Sequence, residues 1–107
     1  MTTSREELKR AVHTIMNDVV EQGFHHLIHH PQSSDELNRL IREASDELSY
    51  QMLRIDAHSF RQGSRELHNY YLEISKSTQR KSIELLSKIQ RIQQRDGVHQ
   101  GIRRFLD

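Results

Sequence analysis

Four histidines fall in the six residues His25 to His30, just ahead of the only proline, Pro31. On a helix, His25 with His29 and His26 with His30 are i, i+4 pairs, the spacing at which two imidazoles reach one metal ion. The nearby carboxylates that could add a third ligand, Asp18 and Glu21, are loosely placed for it. Histidines at a helix C-terminus are also favoured by the macrodipole when protonated, and that needs no ligand. The expected state of His25, His26, His29 and His30 is therefore solvated or structural, with no metal or other cofactor. A metal- or pH-responsive switch is the second alternative, because imidazole titrates near neutrality. A di-iron bundle needs Glu-x-x-His or related pairs on facing helices. The remaining His13, His58, His68 and His99 do not supply that spacing.

Other chemistries find less support. Glu43 and Asp46 have an i, i+3 carboxylate spacing suited to a hard cation, with Glu47 beside them. A second carboxylate set on a neighbouring helix is missing, since Glu6 and Glu7 lie too near the terminus, so a charged solvent face is the expectation. The absence of cysteine excludes thiolate catalysis, disulfides and Cys-based zinc sites. No serine sits in a Gly-x-Ser-x-Gly elbow, and no Gly-rich loop could cradle a phosphate. With four Gly and one Pro, the chain also lacks loops on which active sites are usually mounted. No enzymatic activity is expected.

A basic run, Lys76, Arg80, Lys81, Lys88, Arg91 and Arg95, continues to Arg103 and Arg104. Lys81, Lys88 and Arg95 repeat at seven and share one side of a helix, where they could meet phosphates. No base-reading apparatus accompanies them: no helix-turn-helix, zinc finger or aromatic platform. A solvated flank facing an acidic helix is the simpler reading; nucleic-acid contact through Lys81, Lys88, Arg91 and Arg95 is the alternative.

Helices must position all of these residues. The stretch from Ser34 reads SDELNRLIREA and then SDELSYQMLRI, two elevens that open alike. At ~100° per residue, Leu37, Ile41, Ala44, Leu48, Met52 and Ile55 fall on one narrow face. An eleven-residue period keeps a long straight seam aimed at a neighbour. Ser33 with Glu36 has capping-box spacing at the start of this helix, and Gly63 reads as its stop. Towards that stop, Leu53, Ala57 and Phe60 lie opposite the Ile55 line, so this end is apolar on two sides and needs cover on both.

Before it, Ser4 with Glu7 opens a first helix carrying the stripe Leu8, Val12, Ile15 and Val19. Continuing that stripe past Gly23 puts His26 and His30 on the core line. The apolar Met16, Val20, Phe24 and Leu27 follow a rotated line instead, which predicts either a swing of the contact face or a break at Gly23. We take the helix as continuous. Ser64 and Glu66 open a third helix reaching about Arg95, with Leu67, Tyr71, Ile74, Leu85, Ile89 and Ile92 on one face. Thr78 and Ser82 interrupt that line as a polar waist, which is a register-setting layer, a core defect or a helix break. The tail carries Ile102, Phe105 and Leu106 and could dock on the two-sided end.

The expected fold is all-α: an elongated antiparallel three-helix bundle over residues 1–107, or four helices if the first or third is broken. The thin apolar seams and low apolar content point to an oligomer, most simply a homodimer. Net charge is +1, divided as −4 over residues 1–60 and +5 over 61–107, which favours an acidic helix docking on a basic one. No apolar run approaches the ~20 residues of a membrane span, and the start lacks an apolar signal core. A soluble, cytoplasmic chain is expected. Its most economical role is that of a non-enzymatic protein–protein interaction module, a small regulator or chaperone-like adaptor. The expected contact residues are Tyr50, Leu53, Ala57, Phe60, Phe105 and Leu106, with Tyr70 nearby. They would take the chain's own tail, a second copy or a foreign helix.

Overall fold

The computed structural model describes residues 4–97, which form three packed α-helices and one 3-10 turn. Helix α1 spans Arg5–His29, the 3-10 turn Pro31–Ser33, α2 Ser34–Asp56 and α3 Arg65–Arg95. The helices run up, down and up, within extents of 58 × 28 × 17 Å. Both α1 and α3 are unbroken, so the described residues form three helices and not four. None is long and apolar enough to cross a membrane.

Two of the expected starts form as read. The Ser4 hydroxyl accepts from the Glu7 backbone N–H and the Ser64 hydroxyl from that of Leu67, both at 3.1 Å. Each satisfies one of the donors that a helix N-terminus leaves unpaired. Ser33 sits at the expected cap position of α2, but its side chain makes no capping bond. Its hydroxyl is directed across the bundle to Asp96, at 2.6 Å.

The seam of α3 buries all of Leu67, Tyr71, Ile74, Thr78, Ser82, Leu85, Ile89 and Ile92. On α2, Leu37, Ile41, Ala44 and Ile55 are buried and Leu48 and Met52 half-buried, joined by buried Leu40 and Gln51. The contact face of α1 does not swing. Its buried line is Leu8, Val12, Met16, Val19, Gly23 and His26, while Phe24 and Ile28 are exposed and Ile15 half-buried. Gly23 explains the continuity: a Cβ there would stand 2.9 Å from Ile41 Cγ1. The missing side chain lets α1 and α2 approach closely, so this glycine is a packing residue and not a stop.

Two apolar clusters result. Met16, Val19, Leu37, Leu40, Ala44, Leu85, Ile89 and Ile92 form one. Leu8, Val12, Ile55, Leu67, Tyr71 and Ile74 form the other, and half-buried Leu48 packs against both. The polar waist lies on the same seam. Thr78 donates its hydroxyl to the Ile74 carbonyl and Ser82 to that of Gln79, each at 2.8 Å, so neither is left unpaired. Gln51 of α2, fully buried, donates to Ser77 at 3.1 Å and to Glu47 at 2.6 Å. A layer paired in this way favours one axial alignment of α2 against α3, because sliding either helix by a turn would take buried Gln51 away from Ser77.

Helix α2 ends at Asp56, well short of the stop expected at Gly63. The Tyr70 hydroxyl donates to the Arg54 carbonyl at 2.6 Å, the acceptor that the N–H of residue 58 would need if the helix continued. Ala57 and Phe60 therefore belong to the connection and not to a helical face with Leu53.

Candidate functional site

The end of the bundle formed by the last turns of α2, the connection 57–64 and the start of α3 gathers aromatic side chains. The Arg54 guanidinium lies 5.6 Å from the ring centres of both Tyr50 and Tyr70. Tyr70 in turn meets Phe60 at 5.4 Å between centroids. His58 stands edge-on to Tyr70 and Tyr71, each at 5.7 Å, and stacks with Phe60 at 6.0 Å. Its Nε2 is 3.4 Å from the Tyr71 hydroxyl, and its shielded Nδ1 has no hydrogen-bond partner among the described residues.

Much of this surface faces outward: Tyr50 is 54% exposed, Leu53 68% and Phe60 41%. Leu53 neighbours Tyr50 at i, i+3, and exposed Ala57 follows it at i+4. Arg54 is steadied by donating to the Gln51 side chain at 3.2 Å. Tyr50 and Tyr70 are thus joined through Arg54, and Phe60 through Tyr70, into one patch, with Leu53 beside it. Phe105 and Leu106 lie outside the described residues. Arg54 and His58 were not singled out in the sequence. The i, i+4 relation of Tyr50 and Arg54 was legible there, whereas the place of His58 depends on where α2 stops. Elsewhere, Phe24 and Ile28 form a separate exposed pair, and Leu72 and Ile83 are exposed singly, which is ordinary for a small protein.

The opposite end gathers polar groups. His26 is 3% exposed, and its Nε2 lies 2.7 Å from Asp96 Oδ2. The same oxygen accepts from Ser33. The Ser33 hydroxyl oxygen accepts from Arg95 at 3.1 Å, and Arg95 also pairs with Glu36 at 2.7 Å. The Ser33 hydrogen bond, then that of His26, holds the Asp96 carboxyl below the usual carboxylate range, against the opposing effect of burial. His30 stacks on His26 at 4.3 Å, with its Nδ1 3.3 Å from the Gln32 side-chain amide. Among the described residues, His26, His30 and Asp96 are the one group of three whose ligand atoms converge, all within 4.8 Å of one another. His25 and His29 face away, exposed and edge-on at 4.9 Å. Asp18 and Glu21 are exposed and take no part.

The basic flank of α3 is largely matched by carboxylates. Lys81 reaches Glu43 of α2 at 3.0 Å and Glu84 at 3.1 Å, and Lys88 reaches Glu84 at 3.3 Å. Glu43 first, then Glu84, raises the Lys81 ammonium pKa, and Lys81 with Lys88 lowers that of Glu84. Arg91 and Arg39 border an open groove of about 450 Å³ between α2 and α3, alongside Glu36, Glu43 and Lys88. The acidic helix thus docks on the basic one within the chain. The acidic cluster itself is dispersed: Glu43 pairs with Lys81, Glu47 accepts from Gln51, and Asp46 is exposed.

Comparison of the chain with protein-family models, with curated proteins and with solved structures gives no match.

Proposed function

We infer that the chain is a non-enzymatic helical interaction module, a small regulator or chaperone-like adaptor that works as a homodimer. The observation that supports this reading is the patch of exposed Tyr50, Leu53 and Phe60 with half-buried Arg54 and Tyr70 at one end of the bundle. Tyrosine and arginine dominate the residues that anchor protein interfaces, because they bring large contact area and polar handles at low entropic cost. Here the aromatic rings are prearranged around Arg54, which lessens the ordering needed on association. An apolar helix of the partner copy would lie over Leu53 and Phe60, and the charge asymmetry of the chain would orient it.

The test is a pull-down from the source lysate with bait free of any His-tag, with and without nuclease. The reading expects a defined set of proteins that survives nuclease and is lost with Leu53→Asp/Phe60→Asp bait. Recovery that collapses with nuclease would instead point to Lys81, Lys88, Arg91 and Arg95.

A further inference from the structure

The polar end has a donor set that the interaction reading does not use. Two imidazoles, one turn apart at the C-terminus of α1, face a carboxylate at the C-terminus of α3, 70 positions along the chain from His26. The three ligand atoms lie within 4.8 Å of one another, so small side-chain shifts would bring them to the roughly 3.3 Å edges of a tetrahedron around a first-row metal. Two helices end here side by side, and the partial negative charge of each C-terminus favours a cation between them.

We propose that His26, His30 and Asp96 bind one divalent transition-metal ion, with Zn²⁺ the preferred species. Two imidazoles select against Mg²⁺ and Ca²⁺, which take oxygen ligands, and three protein ligands leave an open position for water. The ion would replace the hydrogen-bonding proton between His26 Nε2 and Asp96 Oδ2, which stand 2.7 Å apart and would open to about 3.3 Å around it. His30 Nδ1 faces the Gln32 amide, which leaves its Nε2 for the metal. Ser33 donates to the carboxylate and fixes its direction, the role an outer-shell partner plays in metal sites. Arg95 is the competing cation, but it is half-exposed, 3.7 Å from the other carboxylate oxygen and closer to Glu36. It has room to withdraw. This site is independent of the aromatic patch and stands or falls separately from it.

The experiment is titration of the full, tag-free, chelator-treated chain with Zn²⁺, followed by calorimetry and thermal unfolding, and with Co²⁺ followed by visible absorption. One ion per chain is expected, with a Tm rise of roughly 10 °C at about a hundredfold excess over Kd and tetrahedral Co²⁺ bands. His30→Ala, which removes a side chain outside the packed core, should weaken binding by more than about 100-fold while helix content is unchanged; Ser33→Ala should weaken it by about 10–100-fold. His25→Ala/His29→Ala should bind as the wild type does. No binding, equal binding in His30→Ala, or loss only in the His25/His29 variant would overturn the proposal, the last showing surface chelation by the exposed pair.

Discussion

Asp56 and Asp96 both close a helix, at opposite ends of the bundle, and each is answered by groups from other parts of the chain. A carboxylate at a helix C-terminus is disfavoured by the macrodipole, so each needs compensation. Asp56 receives Arg5 and Lys9 from the start of α1 and stays 43% exposed. Asp96 receives the Ser33 hydroxyl and His26, with the Arg95 guanidinium 3.7 Å away, and only 7% of its side chain is exposed. On this difference, burial more than charge count is expected to decide what each polar contact is worth. Around Asp56, water and salt screen the pair and can replace it. Around Asp96, losing one member strands the others in a site with little water to take over.

The largest expected effect follows directly. Asp96→Ala should lower unfolding stability by about 3 kcal/mol in denaturant titration, because it leaves His26 and Ser33 buried without their acceptor. Asp56→Ala should unfold close to the wild-type midpoint. Equal losses in the two variants would break the comparison.

The two histidines sharpen it. His26→Phe removes a partner from the buried carboxylate and should cost about 2 kcal/mol. His58→Phe removes an imidazole whose shielded Nδ1 has no partner among the described residues, within a set of aromatic rings. That change should leave stability unchanged or raise it by up to about 1 kcal/mol. A large loss at His58 would mean that its contact with the Tyr71 hydroxyl matters more than its ring packing.

Smaller effects appear with pH. Asp96 and Asp56 both have carboxyl pKa values lowered by folding, Asp96 chiefly through Ser33 and Asp56 chiefly through Lys9. Their stabilisation is complete above the unfolded value of about 3.9 and disappears as pH falls through the lowered native value. The gap in Tm between wild type and Asp96→Asn should therefore narrow below about pH 4. Lys81 has the opposite sign, since its pKa is raised by Glu43 and Glu84. The gap between wild type and Lys81→Met should close only as pH rises past about 10.4. A gap that is flat across these ranges would show that neither ionisation is linked to folding.

What was legible in the amino-acid sequence was what one helix decides for itself. The α3 seam, including Thr78 and Ser82, follows from an unbroken 3.6-residue period, and the caps at Ser4 and Ser64 from local spacing. The misreadings share a tertiary cause. Gly23 looked like a swing or a stop because its reason, the approach of Ile41, lies on another helix. Ser33 looked like a cap, but Asp96 takes its hydroxyl. Helix α2 stops at Asp56, ahead of Gly63, and the Arg54 carbonyl left at its end is satisfied by Tyr70 of another helix. At the candidate sites, the pairing of His26 with His30 was visible from spacing, while Asp96 was not, since nothing local connects it to them. Tyr50, Leu53 and Phe60 were visible as apolar residues without a seam; their assembly around Arg54 needed the fold.

Sedimentation equilibrium of the wild type and of Leu53→Asp/Phe60→Asp, with helix content followed by circular dichroism, tests the central claim most directly. Over a roughly hundredfold range of concentration, a wild-type dimer and a variant monomer of equal helicity are expected. A wild type that stays monomeric throughout, or a variant that still dimerises, would contradict it.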